Sequence, residues 1–324
     1  MAAVTTQIDD RNVVAGPRVP PGDLMQRCAT DGFSKATRLL TYNIKAMSDT
    51  PDGTKLIKTY FSKQFHEQAM LLTEVLQSLD LFNPPILNAI YRTPRHMLLP
   101  GNLAPLAYWN GVTPIRGTVA LTSPWMTAYA ALRLALQPAQ RVLVLGYGYG
   151  YISLAFANIV GPEGEVVAVE LDKDLVECGR QLLKHLNITN VKIIHGDALD
   201  LPDNLGTFDA IWPTLSAKTI PSFWMSSVNP TGILGAFVPV AEHEFSANEQ
   251  LQKSCRDYAE YLQSTWWKSA RLVFLPKNGE HETPAFVMYG LSNPPMAREG
   301  DPRLDHWYEA NLSIETHVLK LLAN

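Results

Sequence analysis

Cysteine is scarce in this chain: Cys28, Cys178 and Cys255 are the three among 324 residues, widely scattered and without metal-ligand spacing. Three thiols cannot all pair, which excludes a disulfide framework as the basis of the fold and makes a reducing compartment, the cytoplasm, the expected location. Cys178 falls in a helical pattern and reads as a small buried side chain. Long apolar runs are also missing, since none approaches the roughly 18 residues that a membrane span needs. Residues 1–22 carry acidic groups and prolines but no apolar centre, so they read as a flexible leader and not as a secretory signal. Neither sign of charge dominates, with 27 basic against 31 acidic residues; no broad electropositive surface points to nucleic acid. Repeats and low-complexity tracts are lacking too. What remains is a globular composition, 46% hydrophobic, sufficient for a substantial core.

Residues 141–170 carry the most information. The apolar run Val142-Leu143-Val144-Leu145 breaks into Gly146-Tyr147-Gly148-Tyr149-Gly150, and a second apolar run ends on Glu170. Alternating glycines let the main chain turn tightly off a strand and approach a ligand where a Cβ would collide. An acidic side chain at the tip of the next strand, about twenty residues on, can accept hydrogen bonds from both hydroxyls of a ribose. This is the pattern of a βαβ unit that grips a nucleoside, with a ligand-free glycine turn as the plain alternative. A nicotinamide dinucleotide asks for glycine at the sixth position, where pyrophosphate lies against the helix; that position is Tyr151. Glycine at the fifth, Gly150, suits S-adenosylmethionine, which has no phosphate to seat. No Gly-Lys-Ser/Thr follows the glycines, which removes a phosphate loop.

Downstream, Val191-Lys192-Ile193-Ile194-His195 reads as a third strand that ends in Gly196-Asp197-Ala198. A carboxylate there can bind the amino group of an adenine. The fourth strand, Phe208-Asp209-Ala210-Ile211-Trp212, leads through Pro213-Thr214-Leu215-Ser216 into a helix expected over residues 217–228. Asn229-Pro230-Thr231-Gly232 reads as a turn before an apolar strand over residues 233–240. Strands and helices alternating at this interval predict a parallel sheet with ligands at the carboxyl ends of its strands.

Upstream of the glycines stand Ile86-Leu87-Asn88-Ala89-Ile90, Pro94-Arg95-His96, Leu99-Pro100, Ala107-Tyr108 and Pro114-Ile115-Arg116-Gly117, followed by Leu121-Thr122-Ser123-Pro124-Trp125-Met126. The last of these is similar to a Thr-Ile-Ser-x-Pro-x-Met segment, and Phe208-Asp209-Ala210-Ile211 and Ile220-Pro221 match as well. With these segments, residues 86–240 resemble the protein-L-isoaspartate O-methyltransferase family of class I S-adenosylmethionine enzymes. The resemblance implies an α/β, Rossmann-like, mostly parallel sheet flanked by helices, with helical additions at both ends. It also implies S-adenosylmethionine as cofactor and no metal. Gly146, Tyr147, Gly148, Gly150 and Tyr151 then line the cofactor, Glu170 with Leu171 holds the ribose, and Asp197 with Ala198 lies by the adenine. Thr122 stands where the family has a serine that contacts the methyl-accepting carboxylate, with Ser123 as helper. Trp109, Asn110 and Thr214 are candidate substrate contacts by their location. The acceptor is an isoaspartyl or aspartyl carboxylate in a peptide, or the carboxylate of a small molecule. A carboxylic acid with a pKa of about 4 is already ionised at neutral pH, so no strong base is needed. Alignment of the acceptor oxygen is what remains, and it can supply roughly 7–11 kcal/mol of the barrier.

Departures from the family pattern point to a specialised relative. The position two before the first glycine, acidic in the family, is Val144; Tyr147 and Tyr149 replace small residues; Pro213-Thr214-Leu215 replaces a small Val-Gly-Ala. They motivate a second reading, a methyltransferase fold without transfer that serves as a ligand-binding or interaction module. A third, a dinucleotide oxidoreductase, is disfavoured by Tyr151.

Outside the core at residues 84–240, residues 23–83 have a helical pattern, with Leu56, Tyr60, Phe61, Phe65, Met70, Leu71, Val75 and Leu79 expected on one buried face. Residues 241–324 predict a helix over 246–263, a hairpin of strands over 270–275 and 284–290, and a final helix over 304–322. The hairpin completes a seven-stranded sheet, and the terminal helices are candidates for a lid or a homodimer contact. His195 reads as a hydrogen-bonded structural histidine, His243 and Glu244 as possible substrate neighbours, and Trp266-Trp267 and Trp307-Tyr308 as core or interface fillers.

Overall fold

A computed structural model describes residues 48–79, 81, 83–116, 119–201, 205–215, 220–239, 270–277 and 283–288. The expected leader, the helices over 246–263 and 304–322, His243, Glu244, Trp266, Trp267, Trp307 and Tyr308 lie outside the described residues.

Continuous apolar runs become the centre of a sheet because a parallel strand is covered on both faces. Strand β3 (Arg141–Leu145) is such a run, and its residues alternate between two cores: Val142 and Val144 face one, Leu143 and Leu145 the other. β3 pairs in parallel with β4 (Glu165–Glu170) on one side and with β6 (Phe208–Pro213) on the other. β5 (Val191–His195) extends the sheet beyond β4, and β7 (Val228–Pro239) extends it beyond β6, both in parallel. Strands β8 (Ala270–Pro276) and β9 (Thr283–Met288) close the sheet as the expected antiparallel hairpin, giving the order β5-β4-β3-β6-β7-β8-β9. The chain steps outward from β3 in both directions. The crevice outside the carboxyl ends of β3 and β6 is therefore a topological switch point, where ligands of open α/β sheets bind.

Helices supply the two covers. In chain order they are α1 (Pro51–Phe61), α2 (Phe65–Ser78), α3 (Pro84–Arg92), α4 (Pro124–Arg133), α5 (Tyr151–Val160), α6 (Lys173–His185) and α7 (Ser222–Ser226). Starts are set by capping: Thr50, Asn83, Ser123 and Asp172 each accept from a main-chain N–H of the first turn. The Pro84-Pro85 pair opens α3, where a missing N–H has no cost. Ahead of α4, β1 (Thr113–Arg116) and β2 (Val119–Leu121) form a short antiparallel hairpin that the sequence pattern did not announce.

Four expectations are corrected. The buried stripe of α1 and α2 is Ile57, Tyr60, Ala69, Leu72, Val75 and Leu76, while Phe65 and Met70 are exposed, at 36% and 51%. The break at residues 62–64 resets the helical phase, so a single stripe drawn through both helices misplaces them. Cys178 is exposed, because α6 buries Leu175, Val176, Gly179 and Leu183. The helix after β6 is the short α7. Finally, Asn229-Pro230-Thr231-Gly232 lies within β7 as a break in register: Phe208 pairs with Val228 and Ala210 with Ile233, so the turn-forming residues loop out of the ladder without ending it. No helix among the described residues is long and apolar enough to cross a membrane.

Candidate active site

The turn after β3 has the backbone that its glycines permit. Gly146, Gly148 and Gly150 have φ of 93°, 55° and 88°, a region that costs other residues strain. A Cβ on Gly146 would sit 2.2 Å from Oγ1 of Thr214. Thr214, expected as a substrate contact, bonds the turn itself: its N–H donates to the Leu145 carbonyl at 2.8 Å, and its hydroxyl lies 3.0 Å from the Gly146 carbonyl. Across the turn, the Gly148 N–H donates to Oε2 of Glu170 at 2.7 Å and the Asp172 N–H donates to Oε1 at 2.9 Å. Each carboxylate oxygen can accept again, so Glu170 braces the turn and retains capacity for hydroxyls.

Beside Glu170, Leu171 is 66% exposed, an apolar side chain on the rim. Its carbonyl lies 3.1 Å from Nε2 of His195, in keeping with a structural histidine. Oδ1 of Asp197 accepts from the Leu199 N–H at 2.8 Å, and the Ala198 carbonyl accepts from Nε1 of Trp224 at 2.9 Å, which fixes this second loop. Positive-φ glycines, two carboxylates and an apolar rim fit a nucleoside that presents hydroxyls and an amino group. They do not fit a phosphate, which would want donors and cations.

The tyrosines of the turn do not crowd the rim. Tyr147 is buried, and its ring packs where a Cβ would stand on Gly150 or, at 2.5 Å, on Gly179 of α6. Burial raises its hydroxyl well above the ordinary tyrosine value, and that hydroxyl has no hydrogen-bond partner among the described residues. Tyr149 is half-buried and packs against the larger core. Val144, in the position where an acid was expected, is fully buried beside Ala168 and Trp212. Trp212 in turn fills the space left by Gly235, where a Cβ would meet the indole at 2.7 Å.

On the acceptor side, several candidate side chains are committed to the fold. The Ser123 hydroxyl accepts from the Met126 N–H at 3.2 Å as the cap of α4. Oδ1 of Asn110 accepts from the Trp125 N–H at 2.9 Å. Trp109 is buried over Gly111, and its Nε1 has no partner among the described residues. Thr122 differs: it is half-buried, and its hydroxyl makes no hydrogen bond among the described residues. The β1–β2 hairpin brings this segment to the cofactor turn, since Cγ1 of Val119 lies 3.7 Å from the Cβ position of Gly148.

Arg95 was singled out in the sequence only as part of a motif. It is fully buried. Nη1 donates to the Thr122 carbonyl at 2.7 Å, and Nη2 lies 3.3 Å from the Gly111 carbonyl and 3.4 Å from Oγ1 of Thr113. Its guanidinium rests over the Tyr151 ring, 4.3 Å from the centroid. Burial lowers its pKa to about 10, partly offset by Tyr151 and Tyr108, so it stays protonated at neutral pH. The signal available in the sequence was an arginine between Pro94 and His96, just ahead of the apolar Met97-Leu98-Leu99. Among the described residues no group of three histidine, cysteine or acidic side chains is placed to hold a metal.

The comparisons with known proteins agree with this geometry. Residues 67–278 match the family model described as protein-L-isoaspartate(D-aspartate) O-methyltransferase (PCMT), well over half of the chain. A protein-L-isoaspartate O-methyltransferase of Shewanella frigidimarina is 33% identical over 174 residues, covering 54% of this chain and 80% of that one. Protein-L-isoaspartate O-methyltransferase 1 of Archaeoglobus fulgidus is 32% identical over 178 residues, covering 55% and 82%. In fold, the chain is similar to a candidate protein-L-isoaspartate O-methyltransferase from Plasmodium falciparum solved with S-adenosyl-L-homocysteine, with TM-score 0.53, 21% identity, and coverage of 70% of this chain and 97% of that one. With the upstream block, the glycine turn and the acidic strand tip all inside the matched region, the chain belongs to the protein-L-isoaspartate(D-aspartate) O-methyltransferase family.

Proposed function

We propose that the acceptor is an isoaspartyl carboxylate in a peptide, and that Thr122 orients it. Membership in the family makes the protein an S-adenosylmethionine-dependent carboxyl O-methyltransferase. When bound, S-adenosylmethionine supplies an electrophilic methyl group. The residues of this chain have three tasks. Glu170 and Asp197 hold hydroxyl and amino hydrogens of the nucleoside, the glycine turn permits close approach, and Thr122 donates a hydrogen bond to one carboxylate oxygen so that the other is presented for attack. The acceptor arrives ionised, and transfer neutralises it to an ester, so no proton needs to be removed. Attack by the next backbone nitrogen on such an ester gives a succinimide, because methoxide leaves far more readily than oxide. The observation that carries this reading is the placement of the segment containing Thr122 on the cofactor turn, through Val119 and Gly148. The unpaired and exposed Cys178 favours a cytoplasmic location.

The test is incubation with methyl-labelled cofactor and matched isoaspartyl, aspartyl and small-acid acceptors, with release of methanol in mild alkali as the readout. Base-labile label in the isoaspartyl peptide, with little in the others, is the expected result. Thr122→Val is expected to lower kcat by about a hundredfold, on the order of the loss when a reacting group is misplaced by about 1 Å, and to leave the affinity for S-adenosylhomocysteine unchanged. Label that enters only the small acids, or an undiminished rate in Thr122→Val, overturns the assignment.

A further inference from the structure

A guanidinium buried without a carboxylate is a poor device for stability. Taking the charge out of water is costly, and no ion pair offsets it. Among the described residues no acidic group pairs with Arg95; it is held by two carbonyls, one hydroxyl and the face of a ring. Those partners belong to separate elements. The Gly111 carbonyl and the Thr113 hydroxyl belong to the approach to and the first residue of β1, the Thr122 carbonyl closes the acceptor segment, and Tyr151 is the first residue of α5, next to Gly150 of the cofactor turn.

We propose that Arg95 is a positioning residue that fixes the acceptor segment to the start of the cofactor helix, and so sets where the Thr122 hydroxyl stands relative to the donor. The proposal rests on the carboxyl-methylation reading given above. A planar fork with several donors can hold the Thr122 and Gly111 carbonyls together while its face lies on an aromatic ring; a lysine ammonium cannot reproduce that arrangement. Arg95 does not touch the reacting atoms. Its contribution is geometric, and misplacement by about 1 Å can cost on the order of a hundredfold in rate.

The experiment uses the full chain and Arg95→Lys. In the isoaspartyl peptide assay kcat is expected to fall by about tenfold or more, while the dissociation constant for S-adenosylhomocysteine, measured by calorimetry, stays within a few-fold. Hydrogen exchange supplies a readout that needs no turnover. Saturation with S-adenosylhomocysteine is expected to slow exchange across residues 119–127 in the wild type, and Arg95→Lys to lose that protection while the turn at residues 146–150 keeps it. Unchanged kcat together with unchanged protection overturns the proposal. A wild type that methylates no carboxylate defeats the functional reading alone, because the exchange comparison still judges Arg95. If Arg95→Lys does not fold, Tyr151→Leu removes the ring on which the guanidinium rests and is compared at saturating S-adenosylhomocysteine. Loss of the protection over residues 119–127 with the turn at residues 146–150 still protected supports the link, and full protection over both overturns it.

Discussion

The cofactor turn and the acceptor segment meet at Val119 and Gly148, yet they use their residues in opposite ways. At the turn, the proposed cofactor role rests on what the backbone can do. Three glycines with φ of 93°, 55° and 88° make a path no other residue follows cheaply, and Glu170 holds that path from both carboxylate oxygens while remaining able to accept. In the proposed acceptor segment, the role given to Thr122 depends on which polar groups the fold leaves free. The oxygens of Ser123 and Asn110 accept from N–H groups in the first turn of α4, so both side chains are oriented by the fold, with Nδ2 of Asn110 buried and without a partner among the described residues, whereas no hydrogen bond among the described residues orients the Thr122 hydroxyl. A backbone requirement can be read from residue type, whereas an uncommitted side chain can be recognised only once its neighbours are known.

The sharpest way to break this contrast is at Gly179, a glycine in the middle of α6. Alanine in a helix interior ordinarily stabilises by roughly 0.5–1 kcal/mol relative to glycine. Here a Cβ would stand 2.5 Å from the Tyr147 ring and 2.7 Å from Cδ1 of Ile193, so Gly179→Ala is expected to destabilise by about 1–3 kcal/mol, as overpacking does. It should also weaken S-adenosylhomocysteine binding, because Tyr147 lies within the turn. Adding Tyr147→Ala should recover part of both losses, as expected for residues in contact. Urea unfolding of the two single variants and the double variant checks this; a more stable Gly179→Ala would show that the tyrosine does not fill the socket.

That socket also marks the limit of what was legible. The parallel sheet, the glycine turn, the acidic strand tip and the closing hairpin follow from local rules: apolar runs of strand length, glycines where φ is positive, turn residues between β8 and β9. The orientation of Tyr147 depends on Gly179, thirty-two residues away in the chain, and the commitment of Asn110 depends on where α4 begins. The same holds for Val144. Its position in the sequence suggested a missing acid, whereas the sheet surrounds it with Ala168 and Trp212 and makes it core. The β1–β2 hairpin was not foreseen because its strands are too short to show a period, and Phe65 and Met70 were misplaced because a break between α1 and α2 is invisible to a periodic pattern.

A smaller effect sharpens the comparison on the acceptor side. Ser123→Ala removes the cap of α4 and is expected to cost about 1 kcal/mol of stability. Its loss of kcat should be smaller than that of Thr122→Val, because the serine hydroxyl serves the helix and the threonine hydroxyl has no other partner among the described residues. If the serine variant lost more turnover than the threonine variant at equal folded fraction, the roles assigned to these neighbours would be reversed.

The smallest effect belongs to the opposite edge of the sheet and tests whether the site is confined to the carboxyl ends of the strands. Glu165, at the start of β4, pairs with Lys192 and, at 2.7 Å, with Arg141. Hydrogen bonds from Lys192 and then from Arg141 hold its carboxyl below the usual value of 4.5. A carboxylate whose pKa is depressed in the folded state contributes stability that is fully present above its unfolded pKa and disappears as pH falls through the folded one. The pairs are largely solvated, Lys192 being 70% exposed, so Glu165→Gln should cost no more than about 1 kcal/mol at neutral pH. Thermal unfolding of wild type and variant should therefore differ at neutral pH and converge in acid below the usual carboxylate range, with S-adenosylhomocysteine affinity the same in both. A gap in stability that persisted unchanged into acid would mean that Glu165 acts by packing and not by charge, and a weakened affinity would extend the site across the whole depth of the sheet.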